Sequence, residues 1–254
     1  MHGNSDRCGA LIHPSALIGK EVILGQGCEV GPFCRIEGRV QIGANCRIGT
    51  GVVIGTPPAD KKYQGEGSGV LIGNNNIFFE FVTVHRATGH NEMTVIGDGN
   101  YIMAYVHIGH NCRIGNSVTL TNGVQLAGHT EVEDGANLGG LVGVHQFCRI
   151  GTLAMIGAHS YVNKDIPPFS LAAGNPCRVY GLNIVGLERA GFSSEKILAL
   201  KDAFRILYRS GLPLIQALKR IEQDLAGGPG REEINRLLEF CTNSRRGIEL
   251  RTEV

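Results

Sequence analysis

Residues 11–58 read, in blocks of six, LIHPSA LIGKEV ILGQGC EVGPFC RIEGRV QIGANC RIGTGV VIGTPP. The second residue of every block is aliphatic. Followed on to residue 162, that column holds 26 positions, and 22 of them are Ile, Val or Leu. The exceptions are Asp60, Glu66, Phe78 and His90. Asp60, Glu66 and His90 fall in two segments that read as insertions, residues 56–69 (TPPADKKYQGEGSG) and 87–93 (ATGHNEM). Chance does not hold one register over more than half a chain, so the repeat decides the fold.

A period of six predicts an all-β hexapeptide-repeat parallel β-helix, each hexad one short strand and one turn. Three hexads make a triangular coil of 18 residues, stacked about 4.8 Å from the next. The aliphatic residue points inward, often with Gly after it (Gly19, Gly25, Gly43, Gly49, Gly115, Gly151). A second inward column is small or β-branched: Ala16, Val22, Cys28, Cys34, Val40, Cys46. Hexapeptide coils of this kind wind left-handed, against the usual right-handed crossover; the period itself does not display the hand. Residues 11–166, less about 18 for the insertions, give roughly seven to eight coils and a prism on the order of 35 Å long. Loops on a regular scaffold are where function concentrates, which directs attention to the insertions.

Composition agrees. The 254 residues include 37 Gly and no Trp, with 6% aromatic and 19% charged side chains and a formal net charge of +1. Gly without a three-residue period excludes collagen, and the apolar fraction excludes disorder. Near-neutrality gives no electrostatic footprint for nucleic acid. No run of 18 apolar residues predicts a membrane span, and residues 1–10 (MHGNSDRCGA) lack the apolar core of a secretory leader. A cytoplasmic protein without stable membrane insertion is therefore expected. Cys28, Cys34, Cys46, Cys112 and Cys148 are separated by multiples of six, so they read as small core residues, and no CxxC spacing suggests disulfide or zinc chemistry.

The hexads stop near Ile166. From Ser193, SSEKILALKDAFRILYRSG carries apolar residues at helical spacing, with Ser193 or Ser194 as N-cap and Gly211 as stop. Residues 214–225 and 232–240 read as two further amphipathic helices. The expected organisation is an N-terminal extension over 1–10, the β-helix over 11–182 and a C-terminal helical segment over 183–254. Residues 194–254 carry 11 basic and 9 acidic side chains, too weak a bias to identify a partner.

Of nine histidines, His85, His107, His110, His129 and His145 fall on the hexad scaffold. With 18 residues per coil, His110, His129 and His145 descend in successive coils near one corner. Two chemistries fit such a cluster: a general base near neutral pH, or zinc bound by several histidines, as in a carbonic anhydrase of this architecture.

Several strings then match one family: HPSALIG, GTPPADKKYQGE, VTVHRAT, MAYVHIGHNCRIGN, LAGH, VHQFCRIG, KDIPPF, GNP and GLNIVGLERAGFS. Over residues 11–250 the chain resembles the UDP-N-acetylglucosamine O-acyltransferases of lipid A biosynthesis. The resemblance implies a cytoplasmic homotrimer of left-handed β-helices with active sites between subunits. It implies transfer of a (3R)-hydroxyacyl chain from the phosphopantetheine of acyl carrier protein to the glucosamine 3-position of the UDP-sugar. No other cofactor and no metal is implied. His110, in HIGHN, matches the general base, and the Gly128 N–H matches the oxyanion donor. Asp60 and Lys62 match sugar-nucleotide or acyl contacts, as do His85, His107, His129, His145 and Gln146 for sugar, phosphate and pantetheine. Asn183 and Arg189 match nucleotide-binding positions, and Ala158 matches the position that limits acyl length. A small residue there predicts a medium-to-long chain. Three positions depart from the family pattern: Asn111, where Asp usually follows the base, Val185 for Glu and Ala190 for Arg. An Asp would stabilise the imidazolium of the transition state, whereas Asn orients the ring without charge. A 3-amino sugar acceptor giving an amide is therefore the alternative reading, and the zinc-dependent carbonic anhydrase a second.

Overall fold

In a computed structural model of the chain, which describes residues 9–225 and 227–248, the six-residue period becomes a triangular prism with three sheets. Each sheet takes every third strand. The first face starts with Leu11–Ile12, Glu29–Val30 and Arg47–Ile48 and has ten strands. The second starts with Leu17–Ile18 and has eight, and the third starts with Val22–Leu24 and has seven. Most strands are two residues long because a hexad spends its other four on the corner. Residues 1–8, most of the expected N-terminal extension, lie outside the described residues.

The register explains the sequence column. Down the first face Ile12, Val30, Ile48, Phe78, Ile102, Leu120, Leu138 and Ile156 pair in turn, all parallel. The step is 18 residues except from Ile48 to Phe78, which is longer by 12, and from Phe78 to Ile102, longer by 6. The insertions are thus whole multiples of six, and the column survives them. Phe78, an exception in composition, is a core position 1% exposed, stacked between Ile48 and Ile102.

The seven cysteines among the described residues are free and buried. Those on the coils fit the inner side of the corners, and three donate to backbone carbonyls of the next coil: Cys28 to Gly43 O (3.0 Å), Cys34 to Gly49 O (2.9 Å) and Cys112 to Ala127 O (3.2 Å). Burial pushes the Cys112 thiol up to about 12 and that of Cys148 to about 11, so both stay protonated and unreactive.

Below the last coil, Ser170–Ala173 adds parallel to Met155–Ile156, and Arg178–Leu182 folds back antiparallel on it. Four helices follow: α1 (Ile184–Arg189), α2 (Ser194–Arg209), α3 (Leu214–Leu225) and α4 (Arg231–Thr242). Three match the sequence reading, and α1 is additional; six residues are too few for a helical period to register. Ser193, not Ser194, caps α2, accepting from Lys196 N–H at 3.3 Å. The helices are anchored to the final coils. The Arg149 guanidinium lies 4.4 Å over the Phe240 ring, Arg236 donates to Thr152 Oγ1 (3.2 Å), and Ser244 donates to the buried Asp165 carboxylate (2.6 Å). Among the described residues, no helix is long and apolar enough to cross a membrane.

Candidate active site at one corner of the prism

The strand His107–Ile108 lies on the second face, and the chain turns at residues 109–112 onto the third. His110 sits on that turn, and its carbonyl accepts the His129 N–H of the next coil at 2.9 Å. Asn111 follows with φ of 58°, a left-handed conformation that Asn tolerates better than most residues.

Asn111 fixes the His110 ring. Its Oδ1 accepts the Thr88 N–H (2.9 Å), and its Nδ2 donates to the Thr88 carbonyl (3.0 Å). This reciprocal pair settles which amide atom is the oxygen. Oδ1 also lies 2.9 Å from His110 Nδ1, so Nδ1 carries the proton and the neutral ring presents a lone pair at Nε2. That atom points at Asp60, with Oδ2 at 3.9 Å. An oxygen about 2.8 Å from each fits between them. The two side chains are only 16% and 18% exposed, so their interaction is less screened than a surface pair.

Gly128 lies one coil from His110. A Cβ at this position would collide with the His110 ring, so only Gly permits the approach. Its N–H meets no acceptor among the described residues. The same hexad position on the corner between third and first faces behaves otherwise. There Ala44 N–H donates to Asn74 Oδ1, Asn74 to Asp98, Asp98 to Asn116 and Asn116 to Asp134, at 2.6 to 2.8 Å. At the His110 corner no such side chain arrives, and a backbone donor is left facing the imidazole.

The neighbouring histidines are kept neutral. Burial first, and His85 and His110 after it, push His107 down to about 4; its Nδ1 lies 2.8 Å from Thr83 Oγ1. Burial, then His110, lowers His85, whose ring meets His107 edge-on at 4.8 Å. Burial again leads in lowering His129, which stacks on Phe147 at 4.6 Å and meets His110 edge-on at 5.2 Å. Asp60 is held below the usual carboxylate range, chiefly by the Lys62 N–H at 3.0 Å and then by the Thr88 hydroxyl. His85 and His107 turn their Nδ1 atoms to different neighbours, the Ala59 N–H and the Thr83 hydroxyl. Among the described residues, no three His, Cys, Asp or Glu converge as a metal site.

One chain thus brings together Asp60, His85, His107, His110, Asn111, Gly128 and His129. Lys62 joins through its backbone, its side chain being exposed. His145 and Gln146 stand one coil further on at the same corner, with His145 Nδ1 3.1 Å from Gln146 O. Three others lie elsewhere. Ala158 is exposed at the corner between first and second faces. Asn183 caps α1 and donates to Leu153 O (2.9 Å) at the corner between third and first. Arg189 is exposed in the last turn of α1. Sequence reasoning missed Thr83, Thr88 and Thr94, whose Oγ1 accepts the Asn111 N–H at 2.9 Å. Thr83 pairs with His107 across a step of 24 rather than 18, a spacing that the six-residue insertion would have given.

Comparison with known proteins completes the picture. A family described as "Udp N-acetylglucosamine O-acyltransferase; Domain 2" matches residues 165–249, and one of bacterial transferase hexapeptides matches residues 21–56 and 93–128. The acyl-[acyl-carrier-protein]–UDP-N-acetylglucosamine O-acyltransferase of Burkholderia orbicola is 48% identical over 77% of this chain and 75% of its own. That of Synechocystis is 50% identical over 68% of this chain and 63% of its own. Among solved structures, UDP-N-acetylglucosamine acyltransferase from Campylobacter jejuni superposes with a TM-score of 0.81 at 32% identity, covering 96% of this chain and 98% of that one. The Arabidopsis UDP-N-acetylglucosamine acyltransferase gives 0.80 at 35% identity, covering 94% and 98%.

Proposed function

The chain belongs to the acyl-[acyl-carrier-protein]–UDP-N-acetylglucosamine O-acyltransferase family, and we propose that His110 is the general base of its reaction. The protein is a left-handed parallel β-helix with a C-terminal helical segment, and it is an acyltransferase that moves an acyl group from acyl carrier protein to UDP-N-acetylglucosamine in lipid A biosynthesis. The zinc reading of the histidine cluster gives way to this one.

In the proposed mechanism His110 Nε2 removes the proton of the glucosamine 3-hydroxyl. The oxygen attacks the thioester carbonyl of a (3R)-hydroxyacyl chain, and the Gly128 N–H donates to the oxyanion that forms. Collapse expels the phosphopantetheine thiolate, which takes its proton from the His110 imidazolium. The ester bond forms as the thioester bond breaks, and no enzyme nucleophile is required. Asn111 brings no negative charge to the imidazolium; Asp60, facing Nε2 at 3.9 Å, supplies it from the other side. That supports a hydroxyl acceptor despite the Asn.

Ala158 and Asn183 stand at other corners than His110, and Arg189 lies on α1, so a second copy would have to bring them to the same substrate. This supports a homotrimer with sites between subunits, Asn183 and Arg189 toward the nucleotide and small Ala158 leaving a groove open for a medium-to-long chain. Lys62, His145 and Gln146 would add sugar, phosphate or pantetheine contacts. The cytoplasm is the compartment that fits such a donor.

The observation that carries the base assignment is the His110 ring held between Asn111 and Asp60 with Gly128 beneath it. His110→Ala should lower kcat by about 10²- to 10⁴-fold, and full retention of activity would remove the base. Mass spectrometry of products from UDP-N-acetylglucosamine and its 3-amino analogue, with carriers bearing a series of hydroxyacyl chains, reads acceptor and chain length together. An amide formed in preference to the ester would overturn the hydroxyl acceptor.

A further inference from the structure

The second insertion, residues 87–93, does more than border the corner. Asn111 holds Thr88 at both backbone atoms, through the bonds of 2.9 and 3.0 Å described above. The Thr88 side chain is thereby pinned where its hydroxyl is buried, near enough to the Asp60 carboxylate to help hold it low but outside ordinary hydrogen-bond geometry with any described residue. A buried hydroxyl without a partner costs free energy and calls for an explanation. The group beside it is the Asp60 carboxylate, from the first insertion. Asp60 Oδ1 is already taken by Lys62 N–H at 3.0 Å, and Oδ2 is the atom facing His110. Glu66 ties the two insertions further, accepting the Gly89 N–H (2.7 Å) and the Gln64 N–H (2.7 Å).

We propose that Thr88 is a positioning residue for acyl transfer. Its hydroxyl donates to the Asp60 carboxylate and holds it against His110, closing a ring of four residues: His110, Asn111, Thr88 and Asp60. The Asn amide has a purpose in this ring that a carboxylate could not serve. Its NH₂ closes on the Thr88 carbonyl, where an ionised Asp would present an acceptor to an acceptor. Small rotation of the Thr88 hydroxyl or of Asp60 completes the bond when substrate fills the gap, as catalytic hydrogen bonds often tighten only in the complex.

The inference rests on His110 as the base, and the test separates the two. Thr88→Val keeps size and the Asn111 clamp but deletes the donor; it should lower kcat by about 10- to 100-fold with KM within about twofold. Thr88→Ser should restore most of the loss, which a merely structural methyl would not do. Thr88→Ala is the second variant should Val not fold, judged by its thermal midpoint. Wild-type kcat in Thr88→Val, a loss confined to KM, or a loss that Ser does not restore overturns the proposal. If His110→Ala abolishes activity while Thr88→Val is unaffected, only the role of Thr88 falls. If His110→Ala is fully active, both fall.

Discussion

Two corners of the prism share one backbone and differ in one decision. Between the third and first faces, a ladder of Asn and Asp side chains caps the backbone N–H at the same hexad position in successive coils, from Ala44 to Asn116. Between the second and third faces that position is His110, Gly128 and Gln146, and Gly128 N–H has no acceptor among the described residues. The closed corner shows what the scaffold does with an orphan donor even where the residues are exposed, and at buried Gly128 an uncapped group costs roughly 1–3 kcal/mol. The open corner withholds the cap and sets an imidazole beside the free donor. The site is therefore the regular fold with a side chain left out, rather than an addition to it.

The largest test of that contrast extends the ladder into the open corner. An Asn at residue 146 stands to Gly128 as Asn116 stands to Asp98, so its Oδ1 would reach the Gly128 N–H. Gln146→Asn should therefore cost kcat about 10²- to 10³-fold, the usual effect of losing one oxyanion donor. KM and thermal midpoint should change far less. Steady-state kinetics decide it: a variant that raises KM alone shows that Gln146 binds substrate and the N–H was never in use.

Acid should distinguish the corners next, because only the open one carries histidines. His107 is pushed from 6.5 down to about 4, so between those values the unfolded chain binds a proton that the folded chain refuses. Stability is then full above about pH 6.5 and is lost as pH falls toward 4, by roughly 3 kcal/mol at most for this group. Asp60, held low chiefly by the Lys62 N–H, adds loss in the same direction at still lower pH. His107→Gln should flatten the curve of unfolding free energy against pH over that window, leaving the smaller slopes of His85 and His129. An unchanged slope in denaturant titrations would mean that His107 is not held neutral by burial.

The scaffold was legible in sequence because the core repeats and because both insertions are multiples of six, so Asp60, Glu66 and His90 showed as breaks in an unbroken register. Phe78 looked like a fourth break and is a core residue, since one coil accepts a larger side chain between Ile48 and Ile102. The 18-residue coil also placed Gly128 beside His110. It could not place Thr83 or Thr88, whose partners lie across an insertion, at steps of 24 and 23 residues. Nor could it orient the His110 ring, which depends on the two bonds between the Asn111 amide and Thr88. Ala158, Asn183 and Arg189 were legible only as family positions. The structure sets Ala158 and Asn183 at other corners and Arg189 on α1, and no period within the chain brings them to His110.

The smallest test runs the contrast the other way, by opening the closed corner. Asn116→Ala removes the acceptor for Asp98 N–H (2.8 Å) and the donor to Asp134 Oδ1 (3.2 Å). Asn116 is exposed, so water replaces much of what is lost. The expected cost is about 1 kcal/mol of unfolding free energy, in the range of an ordinary intramolecular hydrogen bond. The freed N–H has no histidine above it, so kcat should not move. That outcome separates two things that coincide at Gly128: a free donor, and a free donor under an imidazole. A change in kcat with Asn116→Ala would mean that strain passes between corners through the shared coil, and that the open corner owes its geometry to the closed one.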